Sequence, residues 1–484
     1  MKNWSPYQES IFDFGVNGEG NAIIEAVAGS GKTTTMVEMI RRIHGKNVIF
    51  LAFNKSIADE LKSRGVNART FHSLVFSPVL KSRGAKAVTQ DKLDRIIENV
   101  FSGQDRRMYG FFCKKLVGLA RQAGIGCLIP GLQENWMDLV QLHDIELENE
   151  DATVERGIEL ASQLLSVSNG SSLVDFDDLL YFSVKDGISL QKFDMVVVDE
   201  AQDTNAIQRA ILRKIMHKGS RLIAVGDPAQ AIYGFRGADS ESMNLIAAEF
   251  DCKRLPLTVS YRCPTSVIEH ARKWVSHIEA APNAQAGSVQ VKEDWSPADF
   301  RVNDLVVSRT VKPMIELAYR CIQSRVPVQV MGRDIGQGLK SLIKKMNTTG
   351  IDRLIAKLNE YTKREVEKAI AKRKESLAAS IQDKTDSVLF LIGTLGENER
   401  TVPALERLID SLFDSKVESV KLSTIHKAKG LEAKRVWWLN HESSQRKMAF
   451  WARQEWQKQS ERNLCYVAVT RSMDQLFLIE QEER

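Results

Sequence analysis

An apolar run, NAIIEAVA at positions 21–28, breaks directly into GSGKTTT at 29–35. That junction constrains the fold more than any other feature of the chain. Gly29 and Gly31 let the backbone turn tightly and aim N–H groups inward, and the helix that begins near Lys32 brings its positive end to the same point. Lys32 can reach the β and γ phosphates of a nucleotide, and Thr33 can hold Mg2+. The usual spacing of such a loop is G-x-x-x-x-G-K-[ST]; here Ala26 stands at its first position.

The surrounding pattern alternates as a parallel sheet with crossover helices requires. Strands are expected at 21–28 and 47–53, and helices at 32–43 and 54–62. From 73 to 172 the β-rich pattern gives way to helical stretches such as 92–101 and 153–166, a mostly helical insertion. Apolar strands return at DMVVVDEA (194–201) and SRLIAVGD (220–227), both ending in acidic residues. A strand–helix–strand unit at 303–332 points to a second α/β domain. Residues 347–395 read as charged helix with a solvated face, and β-type runs resume at VKLSTIH and RVWWLN.

At 484 residues the chain has room for two or more domains. Its 43% hydrophobic and 27% charged residues suit a soluble globular protein, and a net charge of +5 is compatible with nucleic acid without diagnosing it. Six scattered cysteines without a CxxC pair give little support to zinc or iron–sulfur ligation. No apolar run is long enough to span a bilayer, and MKNWSPYQES has no signal-peptide pattern.

VVVDEAQD (196–203) supplies the second half of a phosphoryl-transfer site. Asp199 at the strand end can hold Mg2+ through water, and Glu200 beside it can polarise the attacking water. With Lys32 and Thr33 these residues argue for a nucleotide hydrolase. VGDPAQAIYGFRGAD (225–239) then places Gln230 to sense a γ-phosphate. Tyr233, Phe235 and Arg236 follow closely, and aromatics beside a cation suit base stacking and backbone charge in a single strand.

These motifs, in this order, resemble the UvrD/Rep/PcrA-like branch of superfamily 1 helicases. SPYQ (5–8) resembles the adenine-recognising motif, with Gln8 as reader. AGSGKT (28–33) resembles motif I, which implies nucleotide contacts from Gly29, Ser30, Gly31, Lys32, Thr33 and the adjoining Thr34. AFNKS (52–56) resembles motif Ia and implies DNA contacts from Phe53 and Asn54; TFHSL (70–74) resembles Ib and implies one from His72. DFDDLL (175–180) resembles the segment before motif II. LTVSYRCP (257–264) resembles motif IV, with Arg262 for the γ-phosphate. STIHKAKGLEA (423–433) resembles motif V, with Thr424 and His426 near DNA and Glu432 near the ribose. ERNLCYVAVTRS (461–472) resembles motif VI, with Arg471 as arginine finger.

The resemblance implies an α/β fold of two RecA-like P-loop motor domains with mainly helical accessory insertions. The first motor domain takes 1–73 and 173–250, with an accessory domain at 74–172. The second takes 251–346 and 419–484, with a reduced accessory domain at 347–418. The implied activity is ATP-dependent, Mg2+-requiring 3′–5′ DNA unwinding coupled to translocation on single-stranded DNA, in repair, recombination or replication. Implied partners are single-stranded DNA and single-strand/duplex junctions, with a recombinase or single-strand-binding protein as further candidates and no membrane. The expected location is cytoplasmic or nucleoid-associated, or the host-cell cytoplasm for a phage-encoded chain.

Three alternatives stay open: a translocase that displaces bound proteins with little unwinding, an RNA-directed motor of the same superfamily, and a nucleic-acid-binding adaptor that uses ATP structurally. The chain also departs from the family pattern. Phe235 stands where tryptophan is usual, and ERNL in motif VI lacks one arginine. The 52–61 form of motif Ia looks closer to a subgroup associated with recombination control. The 13 residues after Arg471 lead to the expectation of no C-terminal nuclease. His143, Asp144 and Glu146 read as solvated surface, and Trp437, Trp438, Trp451 and Trp456 as packing.

Overall fold

A capping box starts the first helix of the chain, α1 (Pro6–Asn17). Ser5 Oγ accepts the Gln8 N–H at 3.2 Å, Gln8 Oε1 accepts the Ser5 N–H at 3.0 Å, and Pro6 fills the first helical position. The computed structural model describes residues 3–143, 145, 147, 151–232, 241–371, 375–413, 418–442 and 455–480. Tyr233, Phe235, Arg236, Asp144, Glu146 and Trp451 lie outside the described residues. The chain divides into two units: residues 1–27 with 31–258, and 28–30 with 259–484.

In the first unit, β1 (Asn21–Ala26), α2 (Lys32–Arg42), β2 (Val48–Leu51), α3 (Lys55–Ser63) and β3 (Ala68–Arg69) alternate as expected. Six helices follow: α4 (Phe71–Arg83), α5 (Lys92–Val100), α6 (Gly103–Ala123), α7 (Gln133–Leu142), α8 (Val154–Gly170) and α9 (Phe176–Lys185). The sheet then resumes with β4 (Phe193–Val198), α10 (Ala206–Ile215), β5 (Met216–Gly226), α11 (Ser242–Glu249) and β6 (Cys252–Leu257). Its order is β3-β2-β4-β5-β1-β6, with every pair parallel. Adjacent β1 residues Ile23 and Ile24 are both fully buried, which explains why the strand reads as a continuous apolar run.

The boundary expected at 250/251 falls later. Cys252–Leu257 pairs along the whole of β1, so these residues complete the first sheet. The helical insertion is not set apart from that sheet either. Leu93, Phe112, Leu116, Trp136 and Leu164 share one buried cluster with Ile23, Ile49 and Val196. Buried charges brace its root. Lys92 Nζ donates to Asp178 at 2.5 Å and to the Ser168 carbonyl at 2.9 Å, while Arg121 pairs with Asp175 at 2.8 Å and Asp178 at 3.1 Å. Two cations offset two carboxylates where neither sign tolerates burial alone.

The second unit opens with a two-stranded ribbon of β7 (Val259–Ser260) and β8 (Glu279–Ala280), between which lies α12 (Thr265–Ala271). Its main sheet uses β9 (Ser288–Val291), β10 (Leu305–Ser308), β11 (Val328–Val330), β12 (Val420–Thr424), β13 (Ala433–Leu439) and β14 (Ser472–Ile479). The order is β11-β12-β10-β13-β14-β9, again all parallel. Helices α13 (Lys312–Gln323), α14 (Arg333–Lys345), α15 (Ile351–Ala371), α16 (Glu375–Thr394) and α17 (Val402–Phe413) precede β12, while α18 (Ile425–Ala428) and α19 (Glu455–Val469) follow it. Trp437 and Trp438 are fully buried, as expected of packing residues.

The described residues of 347–418, expected as a reduced accessory domain, are built into this unit as a helical layer. Leu354, Leu358, Leu391, Leu405 and Leu412 share a cluster with Val306, Val328, Leu422 and Trp437 of the sheet. Asp383 on α16 also accepts the backbone N–H groups of Val311 and Lys312 at 2.8 and 2.9 Å, stabilising the start of α13 from outside that helix. Among the described residues no helix is long and apolar enough to cross a membrane.

A shared core makes a specific prediction. Leu391→Ala should destabilise the second unit by about 2–5 kcal/mol. Amide exchange in β10, whose chain positions lie far from residue 391, should accelerate in step with exchange in α16. Acceleration confined to α15–α17 would show that the segment folds independently.

Candidate nucleotide site

The ends of three neighbouring parallel strands carry the chemistry of the first unit. β1 runs into the glycine turn, where Gly29 and Gly31 hold left-handed φ values of 71° and 76°. Gly31 stands at the N-terminal end of α2, which puts that helix's free N–H groups at the turn. β4 ends at Val198, delivering Asp199 and Glu200, and β5 ends at Gly226, delivering Asp227. Parallel pairing brings these ends together because all the strands run the same way.

Thr33 Oγ1 donates to Asp199 Oδ2 at 3.0 Å, and Lys32 Nζ lies 3.3 Å from Glu200 Oε1. Glu200 itself adopts a left-handed φ of 51°, unusual for a residue with a side chain. Gln230 Nε2 donates to Asp227 Oδ2 at 2.5 Å. Gln8 is buried behind the turn; its Nε2 donates to Thr35 Oγ1 at 2.9 Å, and that hydroxyl bonds the Gly31 carbonyl at 2.9 Å. Gln8 therefore links α1 to the glycine turn through Thr35.

The electrostatics are those of a pocket with too much negative charge. Burial pushes the Asp199 carboxyl up to about 6, helped by the Glu200 charge, and burial also raises Asp227. Burial works against the Lys32 ammonium, but Glu200, Asp227 and Asp199 outweigh it and hold its pKa above the ordinary value. Three carboxylates facing one ammonium suit the arrival of a divalent cation. The Thr33 hydroxyl, in the first turn of α2, and the Asp199 carboxylate, just past β4, are hard oxygen donors. Among the described residues no cluster of three or more His, Cys, Asp or Glu could hold a metal alone. This partial donor set fits Mg2+, whose shell is commonly completed by substrate phosphates and water.

The second unit gathers its own group of expected residues. Arg262 Nε donates to Glu432 Oε2 at 2.7 Å, and its Nη1 lies 3.4 Å from the Thr470 carbonyl. Arg471 is buried, donating from Nε to the Val467 carbonyl at 2.9 Å, from Nη1 to Leu431 at 3.2 Å and from Nη2 to Thr470 Oγ1 at 3.3 Å. Thr470 thus lies between the two arginines.

The residues expected at DNA are more dispersed. Phe53 is half-exposed, and Asn54 Oδ1 accepts the Ile57 N–H at 2.9 Å, capping α3. His72 stacks on Phe176, with ring centroids 4.3 Å apart and planes at 24°; burial lowers its pKa to about 4, leaving it neutral at pH 7. Thr424 caps α18 by accepting the Lys427 N–H at 3.3 Å, and His426 lies within that short helix. Asp227, Gln202, Thr35 and Phe176 are site neighbours to which the sequence reading assigned no role. Their signals were present as the acidic end of SRLIAVGD and as letters inside DEAQD, GKTTT and DFDDLL.

The UvrD/REP helicase N-terminal domain matches residues 8–251, half of the chain, and the UvrD-like helicase C-terminal domain matches residues 333–483. The chain belongs to the UvrD/REP helicase family. Among similar proteins, a probable DNA helicase II homolog of Mycoplasma pneumoniae is 26% identical over 298 residues, covering 55% of this chain and 41% of that protein. An ATP-dependent DNA helicase PcrA of Staphylococcus epidermidis is 27% identical over 299 residues, covering 54% and 38%. An ATP-dependent DNA helicase srs2 of Schizosaccharomyces pombe is 23% identical, covering 54% and 33%. The match therefore spans only 33–41% of the length of these three relatives.

Thr33→Val removes the hydroxyl while keeping the shape of the side chain. The Mg2+-dependent part of ADP affinity should fall on the order of tenfold, about 1.4 kcal/mol. Calorimetry with and without Mg2+ checks this; an unchanged difference would exclude Thr33 as a metal donor.

Proposed function

We propose that this chain is a Mg2+-dependent DNA helicase that hydrolyses ATP to move 3′–5′ along single-stranded DNA and separate duplex at single-strand/duplex junctions. The observation that carries the reading is the convergence of Lys32 and Thr33, at the start of α2, with Asp199 and Glu200, just past the end of β4. Family membership and the names of the relatives support DNA as the substrate. Polarity rests on the motif resemblance.

In this reading the turn at Gly29–Gly31 and Ser30, with Thr34 beside it, cradles the phosphates, and Gln8 reads the adenine. Lys32 binds the β and γ phosphates. Bound Mg2+, held by Thr33 and Asp199, neutralises charge on the phosphates. Glu200 orients the attacking water and takes its proton, while Gln230 senses the γ-phosphate. Arg262 and Arg471 are assigned to the γ-phosphate and its developing charge, and Glu432 to the ribose. Phe53, Asn54, His72, Thr424 and His426 are assigned to the DNA strand, as are Tyr233, Phe235 and Arg236. A soluble working location on DNA, cytoplasmic or nucleoid-associated, follows from that role.

One observation favours a second reading. Residues 347–418 pack into the core of the second unit, leaving little of that segment to act as a separate duplex-gripping domain. A translocase that clears proteins such as a recombinase or single-strand-binding protein from DNA, with modest unwinding, suits that arrangement.

Strand separation on matched duplexes with a 3′ or a 5′ single-stranded tail tests the proposal. Unwinding is expected from the 3′ tail alone, and Glu200→Gln should abolish it. Unwinding from the 5′ tail alone would overturn the polarity. Protein displacement from single-stranded DNA without strand separation would make the second reading the correct one.

A further inference from the structure

The turn after β4 contains a side chain with no role in the reaction outlined above. Gln202 is buried and uses both ends of its amide. Its Nε2 donates to Glu200 Oε2 at 2.5 Å, and its Oε1 accepts the backbone N–H of Asp227 at 3.0 Å. Asp227 in turn accepts from Gln230. One amide thus joins the carboxylate at the end of β4 to the Asp227–Gln230 segment at the end of β5.

Gly226 belongs to the same device. A Cβ there would overlap Gln202 Oε1, so the glycine lets the amide reach the Asp227 N–H. A second tie supports the turn. Ser242 Oγ, at the start of α11, donates to the Ala201 carbonyl at 2.9 Å and lies 2.5 Å from Thr204 Oγ1. The turn is therefore fastened both to the residues before the 231–241 stretch and to the residue after it.

We propose that Gln202 is a positioning residue: it aims the Glu200 carboxylate and keeps that aim in register with the segment bearing Gln230. Two features make this more than packing. Glu200 sits in a left-handed conformation that a side chain adopts only when its surroundings hold it there. Lys32 also pairs with Glu200, but the proposed reaction draws that ammonium to the phosphates, whereas Gln202 has no phosphate role in that reaction and is buried between Glu200 and the Asp227 N–H, so it can hold the carboxylate throughout. An amide suits the position because it can donate to a carboxylate and accept from an N–H at once.

The inference rests on the proposed ATPase reaction and is tested within it, on the full chain with single-stranded DNA. Gln202→Glu keeps the volume but replaces the donor with a second acceptor facing Glu200. Gln202→Ala removes the bonds to Glu200 and to the Asp227 N–H. In each, kcat should fall roughly 10- to 100-fold, the worth of a charge-assisted hydrogen bond made at the reacting geometry. The KM for ATP and the nucleotide affinity should stay near wild type, and Gln202→Glu should be no better than Gln202→Ala. Gly226→Ala, which crowds the same amide, should share the kcat loss. A Gln202→Glu chain with near-normal kcat would overturn the positioning role while leaving the ATPase reading intact. Loss of ATP affinity in parallel with kcat would also overturn it, reducing Gln202 to a structural support. A wild-type chain that binds ATP without turnover would overturn the ATPase reading, and this role with it.

Discussion

One largely covered ammonium surrounded by carboxylates organises the first unit. Lys32 faces Glu200 directly and feels Asp199 and Asp227 as well. Burial penalises the charged forms of Asp199 and Asp227, so neither carboxylate would be stable in this setting without compensation. Lys32 supplies part of the compensation and the Thr33 hydroxyl a further hydrogen bond. In the proposed reaction, the remaining imbalance favours arrival of a metal–nucleotide complex.

The fold exists, in this view, to deliver those groups to one edge. A parallel sheet covered on both faces favours apolar residues along its central strands, so polar chemistry is concentrated at the ends. Ile23 and Val197, both fully buried in the sheet, are therefore as necessary to the site as Asp199. The left-handed conformations at Gly29, Gly31 and Glu200 occur where strands release the chain into turns. At the two glycines the conformation is free of steric cost. At Glu200 it needs support from neighbours, and Gln202 and the Thr204–Ser242 tie provide it.

Much of this was legible in the sequence, for identifiable reasons. β1 and β4 are short apolar runs bounded by a glycine turn and by acidic residues, and both were found where periodicity placed them. Lys32 and Thr33, just after β1, meet Asp199 and Glu200, just after β4, because only β5 separates those parallel strands in a sheet whose crossover rules leave few alternatives. β6 was not legible as part of the first sheet: CKRLPL alternates weakly and carries a proline, and its place depends on pairing with β1, more than 220 positions away. The absorption of residues 347–418 into the second core was equally hidden. Charged helices advertise their solvated faces, whereas Leu391 and Leu405 reveal their partners only in three dimensions. Gln202 was visible as a letter of DEAQD, but a two-ended hydrogen bond to Asp227 leaves no periodic trace.

The central claim is that Lys32 and its carboxylates form the site where ATP is hydrolysed. The most direct measurement is the steady-state ATP hydrolysis rate of wild type and Lys32→Ala in Mg2+, with and without single-stranded DNA. The account predicts a wild-type rate that rises when DNA is added, and a Lys32→Ala rate at least about 100-fold lower under both conditions, a loss of roughly 2.7 kcal/mol or more in transition-state stabilisation. A Lys32→Ala chain that hydrolyses ATP at the wild-type rate would contradict it.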